Sequence, residues 1–235
     1  MHIEPTIKNI LSQSWLIFQE NINNILIVTI IIGIPLNIML YLIPMGDDLE
    51  GSLQYYKYVG YVQGLFGILA TIAIAFITRA ALEHEPITWQ ESIKLAFNKW
   101  LQVIGTNFLE SFLLVILFLL LVVPGIVFAI FWYFVTYITI FTDKWGMAAL
   151  KQSKVLVKNR WWKSFGFIML FTVMALVVGI IAGIPLAYLP ENVIFYVLGG
   201  LLVDIAVSFF SVLGAVFYFS WEHSKIEIPV KTLSS

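Results

Sequence analysis

Long uncharged runs, separated by short charged stretches, dominate the chain. Residues 21–46 carry no charged side chain, and neither do residues 58–78, between Lys57 and Arg79. A bilayer core about 30 Å thick is crossed by about 20 apolar helical residues. The first run therefore predicts a span near Asn24 to Leu42, and the second another over 58–78. From Trp100 to Thr142 there are 43 residues with Glu110 as their one charge, room for two spans. Pro124-Gly125, in the middle, reads as the tight reversal between them. Residues 164–190 give a fifth span ending near Pro185 to Pro190, and 192–221 a sixth interrupted only by Asp204. The fold class is thus all-α, a polytopic membrane bundle of six helices, or of five if the last segment is re-entrant. Residues 44–57 form the one sizeable loop on their side, and Gly46, Asp47, Asp48 and Gly51 make it turn-rich.

The segments before the spans follow a plan. Shifting residues 88–126 by 61 positions onto 149–187 pairs Ser92/Ser153, Leu95/Leu156, Asn98/Asn159, Trp100/Trp161, Gly105/Gly166, Leu109/Leu170 and Pro124/Pro185 as identities. The order of features is polar helix, tryptophan, glycine, long apolar run, proline. The first 42 residues follow it loosely: Gly33-Ile34-Pro35-Leu36 repeats as Gly183-Ile184-Pro185-Leu186, with Trp15 one helical turn out of register. We read a single integral membrane domain, 1–235, of three repeat-like units (4–82, 87–142 and 147–221). Each is an interfacial helix followed by a transmembrane hairpin, with tryptophan at the headgroup zone. Bilayer physics imposing one pattern on unrelated hairpins is the competing explanation.

Composition agrees with the spans. Of 235 residues, 60% are apolar and 11% charged, against about 45–50% and about 25% in soluble domains. Secreted enzymes, nucleic-acid binders and disordered scaffolds are excluded. Net charge is −1, but its distribution is uneven. With six spans, Lys57 alone among 13 Lys and Arg falls on the side of the 44–57 loop, so both termini are expected in the cytoplasm. The N-terminus lacks the pattern of a cleaved signal peptide. No cysteine is present, which removes disulfides and thiolate metal sites.

Candidate chemistry is sparse. Glu110 and Asp204 each lie about ten to twelve residues into a span, near mid-membrane. A lone carboxylate there costs about 2.5–3.5 kcal/mol and must face the bundle or water. They are either a proton or cation site or protonated, hydroxyl-paired ties between helices, with Thr106, Asn107, Ser111 and Ser208 as neighbours in sequence. Glu83-His84-Glu85 cannot converge on one ion, because adjacent helical side chains diverge by about 100°. No metal site, cofactor or catalytic motif is expected. Lys151, Lys154 and Lys158 recur at helical spacing, and Arg160 and Lys163 follow. That stripe would meet anionic phospholipid headgroups at about 1 kcal/mol per charge, or a protein partner, or serve only as a topology determinant. Leu150, Val157 and Trp161 on the neighbouring face would dip into the acyl boundary.

Leu121-Val122-Val123-Pro124-Gly125-Ile126, Ala129-Ile130, Asp143-Lys144-Trp145-Gly146, Ala149-Leu150-Lys151-Gln152-Ser153 and Leu156 together resemble the YciC-type family of bacterial inner-membrane proteins. They are also similar to the membrane domain fused to some glycerophosphodiester phosphodiesterases. The resemblance is specific over 121–160. It implies a multi-pass protein of the bacterial inner membrane with no established catalytic activity and no functional residue to carry over. The expected function is a non-enzymatic accessory, interaction or envelope-maintenance role, beside the lipid bilayer and a membrane-protein partner. A small transporter or channel using Glu110 and Asp204 is the first alternative, and anionic-lipid binding or scrambling the second.

Overall fold

The computed structural model describes residues 6–184, 188, 190 and 192–224, and these are helical with no strand among them. Among the described residues ten α-helices run α1 (Ile7–Glu20), α2 (Ile22–Tyr41), α3 (Leu49–Val62), α4 (Ile68–Glu83), α5 (Trp89–Leu120), α6 (Val122–Trp132), α7 (Val135–Phe141), α8 (Met147–Val157), α9 (Trp161–Gly183) and α10 (Val193–His223). They form six continuous or nearly continuous rods long and apolar enough to cross a membrane. The protein is a multi-pass membrane protein. Pro185, Leu186, Glu191, Lys225, Lys231 and the first five residues, on which parts of the repeat and charge readings fall, lie outside the described residues.

Local chemistry sets the ends of the rods, and in three places it departs from the sequence reading. The turn-rich loop at 44–57 is in fact mostly helix. The Asp48 side chain accepts from the Gly51 N–H at 2.7 Å, an N-cap, and α3 starts at Leu49. It runs through a wide π turn at Gln63–Gly67 into α4. The whole rod has 35 residues, about 52 Å, and overhangs the bilayer core. Secondly, the reversal before α6 falls at Leu121, which is extended at φ −160° and ψ 133°. Pro124 sits in the first turn of α6, where its missing N–H would have had no helical partner. Thirdly, the polar helix and the span of the middle unit are one continuous rod, α5, opened by a reciprocal cap between Thr88 and Glu91.

The fourth span is broken. Phe134, at φ −89° and ψ 4°, interrupts the helix between α6 and α7. In lipid such backbone is tolerated only where protein satisfies it. Ser153 of α8 does so: its hydroxyl donates to the Phe131 carbonyl at 2.7 Å and accepts from the Phe134 N–H at 3.2 Å. The Gly146 N–H, at the start of α8, donates to Thr106 Oγ1 of α5 at 2.8 Å. α8 is thereby drawn into the bundle, with Ala149, Leu150, Ser153, Leu156 and Val157 buried.

Helix α10 is the central post, packed by α1, α2, α4 and α9. Its last third is dry: Phe217, Tyr218 and Trp221 are at most 1% exposed. The Phe217 ring lies 4.8 Å from Phe134 and 5.4 Å from Phe167, and Trp221 Nε1 donates to Ser164 Oγ at 3.0 Å. At the other end the rods splay apart. Leu119, Val123, Ile180 and Ile194 are each more than 60% exposed. The core therefore sits toward the end that carries the last third of α10.

Candidate functional site

The two intramembrane acids, alike in sequence, have different fates. Glu110 lies on α5, which packs against α4, α6 and α7. It has no hydrogen-bond partner among the described residues. Its sequence neighbours are engaged elsewhere: Thr106 with Gly146 and the Gln102 carbonyl, and Asn107 Oδ1 with the Thr136 hydroxyl at 3.0 Å. Asp204 lies on α10 where that helix meets α2. Nothing brings the two acids together.

Asp204 has a partner that the sequence reading missed. Asn37 Nδ2 donates to Asp204 Oδ2 at 2.8 Å and also to the Gly33 carbonyl one turn back at 2.9 Å. The amide is thus fixed to its own helix and presented to the acid. Two glycines make the approach close enough. A Cβ at Gly200, one turn before Asp204, would lie 1.9 Å from Asn37 Oδ1, and one at Gly33 would lie 2.8 Å from the Leu201 side chain. Asn37 is itself buried. An asparagine within an isoleucine- and leucine-rich span was the legible signal, since a buried amide requires a partner.

Above this pair a cavity of about 990 Å³ opens where the rods splay. Asn37 and Asp204 form part of its wall, and Tyr41, Tyr55, Gln63 and Tyr196 contribute the other main polar groups. Asn192, which caps α10 by accepting from the Phe195 N–H at 3.1 Å, borders it too. Tyr41 and Tyr196 hold their rings 5.4 Å apart. No lysine, arginine or histidine is among the described residues that line it. The cavity falls within the size range of small-molecule sites. Its lining includes one carboxylate and the rings of Tyr41, Tyr55, Phe195 and Tyr196, and a carboxylate beside aromatic rings is a combination that attracts organic cations.

The basic stripe is less free than its spacing implied. Lys154 Nζ lies over the Phe128 and Phe131 rings at 5.0 and 5.6 Å. Lys163 Nζ lies 5.6 Å from the Trp221 ring, and Arg160 covers the same ring while donating to the Ser224 hydroxyl. Lys151 and Lys158 are exposed. The expectation that Leu150 and Val157 dip into the acyl boundary is corrected, because both are packed inside the protein. Their face of α8 is consumed by α5, α6 and α7. Glu83 pairs with Arg79 at 2.8 Å, and His84 ends α4 in the left-handed conformation. Among the described residues no three acids or histidines gather as metal ligands.

Comparisons with known proteins return no match to a family model, a curated protein or a solved structure.

Proposed function

We propose that this chain is a non-enzymatic carrier of the bacterial inner membrane, termini in the cytoplasm, which takes a small organic cation into the Asp204 cavity. One observation carries the reading: a carboxylate held by Asn37 in the wall of a cavity of about 990 Å³, whose lining among the described residues includes tyrosines and no basic side chain. An acid serving only as a tie between helices needs its partner but no cavity. The basic bias of the opposite end supports placing the mouth outside the cytoplasm. Glu110 takes no part, so the transport alternative is narrowed to Asp204. Membership of the YciC-type family is part of the proposal and is carried by residues 121–160.

An accessory role in a membrane complex is the second reading, favoured by α3. None of its side chains is buried, and Leu49, Leu53, Tyr56, Tyr58 and Tyr61 are exposed along it. Lipid scrambling has less support, since Lys154, Arg160 and Lys163 rest on the protein's own rings.

Equilibrium binding of radiolabelled tetraphenylphosphonium to the purified protein tests the carrier reading. Saturable binding is expected, weakened at least about tenfold in Asp204→Asn, which removes the charge and keeps the shape. Glu110→Gln should bind like the parent chain. Equal binding by Asp204→Asn and the parent chain would overturn the proposal.

A further inference from the structure

Asp204 forms the wall of a second, smaller cavity of about 100 Å³ on the side away from the mouth. Thr29 of α2, Thr71 of α4, and Ser208 and Ser211 of α10 line it. Thr29 is 3% exposed, and its hydroxyl has no hydrogen-bond partner among the described residues. Ser208 donates to the Ile205 carbonyl at 2.7 Å, which leaves its oxygen free to accept. Four hydroxyl-bearing residues and one aspartate from three helices therefore line, beside apolar side chains, a space large enough for an ion and a few waters.

From this arrangement we infer that the small cavity binds a sodium ion, which shares Asp204 with the organic cation above it. The inference rests on the reading of Asp204 as a binding residue. The chemistry of the lining decides the ion. Oxygen-only ligands suit hard cations and exclude soft metals. A single carboxylate balances one positive charge, whereas calcium and magnesium sites draw on more carboxylate or phosphate oxygen than this cavity offers. The carboxylate is a strong-field ligand, which favours sodium over the larger potassium ion. An ion there would give the buried Thr29 oxygen the partner it lacks among the described residues. Occupancy would neutralise Asp204 from below and join α2, α4 and α10, so the two cations would compete for one charge or alternate across it.

Equilibrium binding of radioactive sodium to the purified full chain in lipid nanodiscs is the test. Saturable binding with about one ion per chain is expected, displaced by unlabelled sodium and at least about tenfold less readily by potassium. Thr29→Val, which keeps shape and removes the hydroxyl, should weaken sodium binding about tenfold while tetraphenylphosphonium binding persists. Ser211→Ala, at the partly exposed margin of the cavity, should also weaken sodium binding and covers the case in which the buried variant does not fold. Absence of saturable sodium binding overturns the inference, as does equal displacement by potassium or unchanged affinity in both variants. Loss of tetraphenylphosphonium binding alone, with sodium retained, removes the carrier reading and leaves the ion site standing.

Discussion

Replacing Ser153 with alanine removes the hydroxyl that closes the break between α6 and α7. Two bonds go at once, the donation to Phe131 and the acceptance from Phe134, and both ends are deprived. Phe134 is fully buried, so water cannot take over its N–H. Each such bond is worth a net of about 0.5–1.5 kcal/mol, and polar contacts in membrane bundles average nearer about 0.6 kcal/mol. A loss of about 1–3 kcal/mol is therefore expected, the upper part of the range reflecting the stranded N–H. At about 2–4 °C per kcal/mol for a chain of this size, the midpoint should fall by about 4–8 °C for the central figure. Intrinsic fluorescence of the 8 tryptophans during a thermal ramp in detergent reads that shift. Ser92→Ala is the matched control, because its hydroxyl serves only the Trp89 carbonyl three residues back at 2.8 Å, and it should lower the midpoint by about 2 °C or less. Equal shifts for the two variants would refute the account of the broken span.

Two other perturbations test the site and the caps. Gly200→Ala drives a methyl into Asn37 Oδ1, so it should cost about 1–3 kcal/mol of stability and weaken tetraphenylphosphonium binding at least about tenfold; unchanged binding would mean that the Asn37–Asp204 pair is not part of the site. The Thr88 N–H and hydroxyl, at 2.9 and 3.0 Å, hold the Glu91 carboxyl below its ordinary range, in the polar first turn of α5 well before Trp100. The carboxylate's contribution is therefore complete at neutral pH and lost as pH falls through its depressed value. Thr88→Ala should lower stability by about 1 kcal/mol at neutral pH and flatten the acid limb of a midpoint-against-pH curve; a parallel curve would sink the argument.

The spans were legible because burying charge in hydrocarbon is costly, so an uncharged run of sufficient length has one use. Their fine structure was not. Asp48 and Gly51 read as turn residues, yet an aspartate before a helix is equally a cap, and only the chain beyond it decides. Pro124 was read as part of the tight reversal, although proline serves as well in a first turn. The break at Phe134 lies in Phe-Trp-Tyr-Phe-Val-Thr, where uniform apolarity hides any change of backbone, and Ser153 that repairs it lies 19 residues on. Glu110 and Asp204 matched in depth, but depth says nothing of rotation. Helical phase turned Asp204 toward Asn37 and a cavity, and left Glu110 without a hydrogen-bond partner among the described residues. The tertiary pairing across 167 residues has no local signature beyond the polarity of its two members. The lysines recur at helical spacing, yet α8 ends at Val157 and leaves Lys158 in a 3-10 turn beyond it, and what Lys154 met depended on what α8 packed against.

The unequal packing along the rods also sets how the molecule breathes. Amides in the last third of α10 and in α7, walled in by Phe134, Phe217 and Trp221, can exchange hydrogen only through global opening. Those near Val193–Leu202, whose side chains are largely uncovered, need only local fraying. The labile half is the one that holds the cavity between α2 and α10. A guest seated in that cavity, against the touching rings of Tyr41 and Tyr196, would clasp the two helix ends together, and its arrival would be legible as slowed isotope exchange at amides it never touches, while the anchored half kept its old rate. The protein is in this sense a stiff root with a compliant crown, and binding is a tightening of the crown.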